Sequence, residues 1–405
     1  MVFTAPFWAW LADTKGIRPA AQLSSALFFV AMLLNLILLL PGFPRHLSWL
    51  PAMASEILNG AVSPVQNFAP PLISSTWFPA HERTTATALM YEANIAGWML
   101  CFVIPPALVP EHAATCTDPD GGTTCNAHNA NSATCTAQTD AAGAACVFTT
   151  SEAVQRKGLV ALWVGIAVAG ALFFAAVTLY FPNAPPTPPA HSAATEKIDY
   201  ASGLRRLSCD SRFWIIVACF AVPNGFQQAW SSALDIMIAP YGFDQDVAAS
   251  LGLWSVGAGA AAGVLLGVFA DRFRRRYKLL IMVMFVAAAA GFLVFCLICQ
   301  GIVPRTSAAL YGSVIVGVAA MSATNPLFLE LAVETLFPVG EGLVSMSLIM
   351  VLNLVNVVYL AVPVDEVGTK WQGPAVVVAT LLATALMLAC FREQYRRSDA
   401  DEGRR

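Results

Sequence analysis

Two acidic residues, each followed by basic residues, occupy equivalent positions of an internal repeat. Asp13 lies in residues 9–18 and Asp271 lies in residues 267–276, 258 positions later. A carboxylate at a helix end can face the N-terminus of another helix or a nearby arginine, and a small residue four positions earlier permits close helix approach. The pattern predicts a gate, and the alternative is that these charges only end and anchor their helices.

A second pair of segments repeats with nearly the same period. Residues 77–83 recur as residues 336–342, 259 positions later, with the frame Phe-Pro-x-x-Glu intact. Two related halves in one register indicate parallel repeats about an axis along the membrane normal. The residues predicted to form the gate are Asp13, Arg18, Glu82, Arg83, Asp271, Arg272 and Glu341.

Polar side chains follow one face of the apolar stretch 213–239 at spacings of three or four residues. Pro223 and Gly225 can open the helix locally beside them. These features predict a face that lines a substrate cavity, and the alternative is hydrogen bonding between helices. With polar residues of two other helices, the predicted substrate-binding residues are Glu92, Asn94, Asn224, Gln227, Gln228, Trp230, Ser231 and Asn353.

Some side chains inside the apolar stretches suit particular ligands. Trp230 could present its ring to a cation, although packing is the commoner role of such an aromatic. Glu56, Glu92 and Asp235 are the acids nearest membrane depth, and Glu92 is the best candidate for carrying a coupling proton. Every histidine falls in a loop or at a stretch end, which disfavours a buried axial ligand to heme iron.

The stretches that position these residues are long and apolar. The chain has 405 residues, of which 57% are hydrophobic and 12% are charged. A helix needs about 20 apolar residues to cross a bilayer, and uninterrupted apolar runs favour helices over barrel strands. An all-α polytopic membrane protein is therefore predicted, with runs at 20–41, 48–74, 84–109, 158–181, 213–239, 247–270, 279–302, 307–329, 339–362 and 371–391.

Basic residues are distributed unequally between the two sides of the predicted membrane. If the runs alternate in direction, seventeen lysines and arginines lie on one side and five on the other. The positive-inside rule places these seventeen residues in the cytosol, together with the C-terminus. The side of the membrane on which they lie is here called the basic side. The membrane is predicted to be the plasma or an endolysosomal membrane.

Composition also divides the chain. The proline-rich and polar stretch 182–212 predicts a semi-rigid cytosolic linker between an N-terminal bundle, 1–181, and a C-terminal bundle, 213–391, with a tail at 392–405. Residues 110–157 predict one long extracellular loop. Two disulfides are predicted there and a zinc site is the alternative, because the loop contains Cys116, Cys125, Cys135 and Cys146.

The repeated acidic motif resembles the loop motif of the major facilitator superfamily. One branch, the feline leukaemia virus subgroup C receptor-related family, is similar in three segments. They are Trp77-Phe78-Pro79-x-x-Glu82-Arg83-x-x-Ala86-Thr87, Asn94-x-x-Gly97-x-x-x-x-Phe102-x-x-Pro105-Pro106-x-Leu108-Val109, and the run from Pro326 to Thr335 leading into Glu341-Gly342.

The resemblance implies a twelve-helix rocker with two six-helix bundles that transports choline, ethanolamine or heme. It matches residues 1–11 to the end of the second helix, so that the first helix and most of the second are absent. The family's binding residues fall on Ile95, Gln228 and Asn353, where this sequence has different side chains.

No nucleotide-binding loop, zinc-protease motif or nucleophile elbow occurs in the sequence. The prediction is therefore a transporter rather than an enzyme, moving a small organic solute without a cofactor. Its expected partners are the solute and the lipid bilayer, without nucleic acid, and it is expected to act as a monomer. The alternative function is a non-transporting receptor or scaffold whose cysteine-rich loop binds a ligand.

Overall fold

Ten helices of at least 19 residues account for most of the part of the chain that the structure describes. The structure is a computed structural model. It describes residues 3–40, 43–101, 103–109, 114–117, 147–150, 152–195, 197–241, 245–273, 275–362, 368 and 370–403. The ten long helices are Ile17–Ile37, Trp49–Trp77, Arg83–Cys101, Glu152–Tyr180, Ser211–Ser232, Gln245–Arg272, Tyr277–Cys299, Ser307–Leu336, Glu341–Leu360 and Gln372–Cys390.

Each predicted apolar run corresponds to one of these helices, but some ends differ from the prediction by six to eight residues. The runs predicted at 84–109 and 213–239 were each wrong as single helices, because the helices end at Cys101 and at Ser232 and the chain continues as Ile104–Leu108 and Leu234–Ile238.

Within the part of the chain that the structure describes, seven helices are long and apolar enough to cross a membrane by length and composition. Many of their large apolar side chains are exposed, such as Leu172 at 67% and Leu382 at 65%. Such surfaces suit contact with lipid acyl chains, as the composition predicted.

Shorter elements connect the long helices. Helix Ala5–Lys15 ends at Gly16, whose φ of 90° favours glycine, and the chain turns directly into Ile17–Ile37. Strands Ala114–Thr117 and Val147–Thr150 pair antiparallel. The other short α-helices of the described residues are Ile104–Leu108, His191–Ala194, Tyr200–Cys209, Leu234–Ile238 and Arg396–Asp401. Two 3-10 helices lie at Arg45–Leu47 and Ala239–Tyr241.

Local capping explains where several helices begin. The carboxylate of Asp199 accepts a hydrogen bond from the N–H of Ala201, and that of Asp210 accepts one from Arg212. The hydroxyl of Thr306 caps Ser307–Leu336 in the same way. Helix Tyr200–Cys209 thus forms inside the stretch predicted as a linker.

The described residues group into two compact units. The larger unit contains Met1–Leu27, Ile57–Met99 and Ala176–Arg405, and its centre is Ser307–Leu336, which is buried along most of its length. It packs against Gln245–Arg272 and Tyr277–Cys299.

The smaller unit contains Phe28–Glu56 and Leu100–Ala175. Inside it the amide of Asn35 donates to the hydroxyl of Ser55 at 2.8 Å, and the rings of Phe29 and Phe174 stack at 6.2 Å. The division into bundles at 182–212 stays a prediction.

Part of the predicted outer loop lies outside the described residues. The structure does not describe Cys125, Cys135 or Cys146. Cys116 lies in strand Ala114–Thr117, but its side chain is not described either. The two predicted disulfides therefore stay a prediction.

Candidate functional site: a gate at the basic side

The first predicted gate acid caps a helix of the opposite repeat. Helix Glu341–Leu360 begins after Gly340, which has no side chain to satisfy the free backbone N–H groups of the first turn. Asp13 supplies that cap: Oδ1 accepts from the N–H of Gly342 at 3.1 Å and Oδ2 accepts from that of Leu343 at 2.9 Å. The negative charge also lies at the positive end of the helix dipole.

The second predicted gate acid makes the equivalent contact with the two repeats exchanged. Asp271 ends helix Gln245–Arg272, and its carboxylate accepts from the backbone N–H of Thr84 at 3.2 Å and of Thr85 at 2.7 Å. Thr84 and Thr85 form the first turn of Arg83–Cys101.

The two contacts are related by the internal repeat. Asp271 follows Asp13 by 258 positions, and the pair Gly342 and Leu343 follows the pair Thr84 and Thr85 by the same interval. Each repeat therefore provides the acid for the helix that begins in the other, which joins the two repeats at this end.

Close approach at the first contact requires glycine. A methyl group on Gly342 would come 2.6 Å from Oδ1 of Asp13, and one on Gly340 would come equally close to Oδ2. Glu341, between them, pairs with Lys197 at 2.6 Å, and the Lys197 ammonium lies 4.8 Å from the ring centre of Phe337. Burial, followed by the charge of Glu341, raises the pKa of Asp13 to about 7.

A seam of small residues continues from the second contact. Gly267 lies against Ala88, and Gly263 against the carboxylate of Glu92; this is the glycine seam between Arg83–Cys101 and Gln245–Arg272. The two helices run antiparallel, because residues further along Arg83–Cys101 contact residues nearer the start of Gln245–Arg272.

The C-terminal tail is buried in the same region. Arg83 donates from Nη1 to Oδ2 of Asp401 at 2.8 Å and from Nη2 to the hydroxyl of Ser192 at 3.0 Å. Ser192 also donates its backbone N–H and its hydroxyl to Asp401. One carboxylate thus connects the tail, the residues after the prolines and the first turn of Arg83–Cys101.

A second buried ion cluster holds the tail one turn earlier. Arg397 donates to Glu330 and, at 2.9 Å, to Glu334, and Glu330 also accepts from the hydroxyls of Ser74 and Thr87. Burial alone would lower the pKa of Arg397, but the carboxylates of Glu334 and Glu330 outweigh it and raise that pKa. The cluster joins helices of both repeats through a charged residue of the tail.

Three predicted gate residues take no part in these contacts within the described region. Arg18 is exposed, and its backbone N–H donates to Asn183. Glu82 is exposed beside His81 at 3.4 Å. Arg272 is exposed next to Asp271, with no salt bridge among the described residues. Their gating role stays a prediction.

The predicted cavity face contacts helix Glu341–Leu360. The amide of Asn356 donates to Gln228 at 3.5 Å, Gln227 donates to Ser231 at 2.9 Å, and the ring of Phe226 lies 5.0 Å from that of Tyr359. Gln228 and Asn356 are therefore an amide pair shared by two helices.

The remaining predicted substrate residues lie in varied surroundings. Trp230 is fully buried with edge contacts to Phe292 and Phe295, both at 5.1 Å, a packing environment. Asn224 is buried and donates to the carbonyl of Phe220. Asn94 and Asn353 are half-buried. Substrate contact at these positions stays a prediction.

Several charged residues that contact the predicted gate residues or lie close to them were missed in the sequence. The sequence places Lys197, Arg397 and Asp401 in the linker and the tail. It places Glu330 and Glu334 in a segment that carries the family resemblance. Their signal was present in part, because acids inside an apolar run are costly without partners. The identity of the partners was not readable, since they are distant in sequence.

Comparisons with solved structures define the class of protein. A proton:xylose symporter, XylE, superposes with a TM-score of 0.66 over 98% of this chain and 86% of that chain, at 15% identity. The fucose:proton symporter FucP of E. coli gives 0.66 over 96% and 87%, at 13% identity. The fold is that of a major facilitator, as predicted.

Sequence relatives give the family. The Major Facilitator Superfamily model matches residues 143–358. A "Solute carrier family 49 member 4 homolog" of Xenopus tropicalis is 30% identical over 96% of this chain and 79% of the relative. The "Choline/ethanolamine transporter FLVCR1" of Mus musculus is 24% identical over 97% and 66%.

The chain belongs to the Major Facilitator Superfamily, and within it to solute carrier family 49. It is a multi-pass membrane transporter of the major facilitator type, and the predicted family resemblance is confirmed.

Proposed function

We propose that the chain carries a small organic solute across its membrane by rocking two helical halves around a central site. The observation that carries this proposal is the reciprocal capping by Asp13 and Asp271. Each contact joins the end of a helix in one repeat to the start of a helix in the other. Because neither is covalent, both can break together and open this side.

The conformation described here is then the one closed on the basic side. The seventeen-to-five distribution of basic residues supports a cytosolic position for that side and for the C-terminus. The ion clusters around Asp401 and Arg397 reinforce the same closure, since the first ties the tail to Arg83–Cys101 and the second joins helices of both repeats.

For the solute, we propose a small polar molecule with an amine or hydroxyl group. The amides of Gln227, Gln228 and Asn356 offer both donors and acceptors, and Phe226 and Tyr359 lie beside them. Because its relative FLVCR1 is named a choline/ethanolamine transporter, choline and ethanolamine are the first compounds to test. Heme, whose transport the family resemblance implies, is the next compound to test. Its iron would be carried without a histidine ligand from the long helices, because none of the ten described long helices contains a histidine.

Uptake into proteoliposomes containing the full chain tests this proposal. Labelled choline, ethanolamine and heme are each offered at equal concentration. We expect time-dependent accumulation of one compound and its reduction in Gln228→Ala, because that change removes the amide shared with Asn356. Gln300→Ala, at an exposed amide beyond Tyr277–Cys299, is the matched control.

Cysteine accessibility tests the site independently of the compound. Cysteine at Gln228 should react with a small hydrophilic thiol reagent, and the transported compound should protect it, whereas cysteine at Ala233, off that face, should react slowly. Absence of accumulation for every compound, together with an unreactive Gln228→Cys, would overturn the proposed site and its solute class. The receptor alternative has no support in the comparisons or in the described residues.

A further inference from the structure

Glu92 is a buried carboxylate for which the described part of the chain provides no partner. Its side chain lies in the glycine seam with 3% of its surface exposed. Neither Oε1 nor Oε2 has a hydrogen-bond partner among the described residues. A methyl group at Gly263 would overlap this carboxylate, so the facing helix touches it directly.

Other buried acids of the larger unit have a cationic partner. Glu330 and Glu334 share Arg397, and Glu341 pairs with Lys197. Placing a charge in a low-dielectric environment is costly unless a partner compensates it. The contrast favours a neutral, protonated Glu92 in this conformation.

The groups around Glu92 do not compensate a charge. Tyr91, on the same helix, is the titratable neighbour with which Glu92 interacts electrostatically. The facing helix presents Gly263 at this level, and its nearest acid along the chain, Asp271, is eight residues further on, about 12 Å along the axis. Asp271 is itself occupied at Thr84 and Thr85.

We propose that Glu92 is a proton-binding site that couples proton movement to the opening of the glycine seam. This inference rests on the proposed alternating-access function and names its coupling ion. With the seam closed, Glu92 holds the proton as a carboxylic acid. When the two helices separate on the basic side, water reaches the carboxyl group, and the O–H bond breaks to give a carboxylate and a hydrated proton.

The location supports coupling because the seam connects to the gate. Gly267 and Asp271 follow Gly263 on the same helix, and they contact Ala88 and the first turn of Arg83–Cys101. Separation at Asp271 therefore changes the environment of Glu92, and protonation of Glu92 favours the packed state in return.

Infrared difference spectroscopy on the full chain in lipid vesicles reports the proton directly. With pH stepped between acid and alkaline values, we expect a carboxylic acid carbonyl band that is lost in Glu92→Gln. Glu92→Asp keeps a carboxyl group and should shift the band rather than remove it, which covers the case in which the glutamine variant fails to fold. Glu56→Gln, at an exposed acid, is the control and should leave the band unchanged.

A transport measurement forms the second arm. An imposed pH gradient should accelerate uptake of the transported compound in the native chain, and the acceleration should be clearly smaller in Glu92→Gln, where only the pH dependence of Asp13 remains. An identical carboxyl band in native protein and Glu92→Gln would overturn the inference. Uptake that fails for every compound while the Glu92 band persists would contradict the proposed solute class and leave the proton site supported.

Discussion

The guanidinium of Arg83 lies 2.8 Å from the carboxylate of Asp401, although the two residues are 318 positions apart. Both side chains are buried, with exposed fractions of 2% and 8%. A short C-terminal helix, Arg396–Asp401, is thereby inserted among the helix ends of the basic side. This contact fixes the tail beside the first turn of Arg83–Cys101, and in the proposed mechanism it belongs to the closed gate.

Asp401→Asn should therefore weaken closure of the basic side. It leaves the buried Arg83 without its anion, and removal of one partner of a buried pair costs about 3 to 5 kcal/mol. The measure is alkylation of Ser345→Cys, a position fully buried one turn into Glu341–Leu360, followed by peptide mass mapping. Alkylation should accelerate in Asp401→Asn.

Asp399→Asn is the matched control for that change. Asp399 pairs with Arg275 at 2.7 Å, but these side chains are 40% and 35% exposed. Exposed pairs contribute about 0 to 1 kcal/mol, so little acceleration is expected. Equal alkylation rates in the two variants would show that the tail does not hold the gate.

The reciprocal caps predict that Asp13 and Asp271 have similar importance. Asp271→Asn should reduce transport while membrane expression stays normal, and Asp13→Asn should do the same, because both carboxylates accept two backbone N–H groups. The loss of a helix cap costs about 0.5 to 2 kcal/mol. Uptake at the native rate in Asp271→Asn would remove it from the gate.

The raised pKa of Asp13 predicts a pH dependence of closure. Its pKa is about 7 in the closed state, against 3.8 for the ordinary side chain, so the closed state binds the proton more tightly than an open, solvated one. Protonation thus favours closure, and this contribution is lost as pH rises through 7. The ratio of closed to open molecules should be about tenfold higher at pH 6 than at pH 8.

This dependence is best measured in the Glu92→Gln background, which removes the proton site proposed in the glycine seam. Alkylation of Ser345→Cys, corrected for the reactivity of an exposed cysteine at each pH, should then be slower at pH 6 than at pH 8. Asp13→Asn should flatten that difference. An unchanged pH profile in Asp13→Asn would assign the effect to another group.

Close packing at the glycine seam predicts a steric effect. A methyl group at Gly267 would come 2.6 Å from Cβ of Ala88, so Gly267→Ala should hold the two helices apart. Overpacking of this kind costs about 1 to 3 kcal/mol, and it should increase Ser345→Cys alkylation and lower uptake.

Two variants serve as controls for Gly267→Ala. Gly312 has no neighbouring atom within 4 Å of an added Cβ, so Gly312→Ala should behave as the native chain. Adding Ala88→Gly to Gly267→Ala removes the methyl group that clashes and should restore closure. Failure of that rescue would mean that Gly267 acts through its own helix and not through the seam.

Much of the fold is readable from local sequence. Apolar run length predicts the long helices, because the cost of exposing backbone polar groups to lipid makes helix formation obligatory over such runs. The repeat also marked Asp13 and Asp271, since each acid follows a small residue four positions earlier and precedes basic residues. Family and fold class follow from the same local patterns.

The partners of these residues were decided by tertiary structure alone. Asp13 contacts backbone 329 and 330 positions away, and Arg83 meets Asp401 318 positions away, so no periodicity within one helix could specify them. From the sequence, Trp230 could be a cation-binding ring or, more commonly, a packed core residue, and its packing against Phe292 and Phe295 is visible only in the structure. Sequence determines which groups cannot be buried alone, whereas the packing of distant helices decides which of them receive a partner and, among the residues that the structure describes, leaves Glu92 without one.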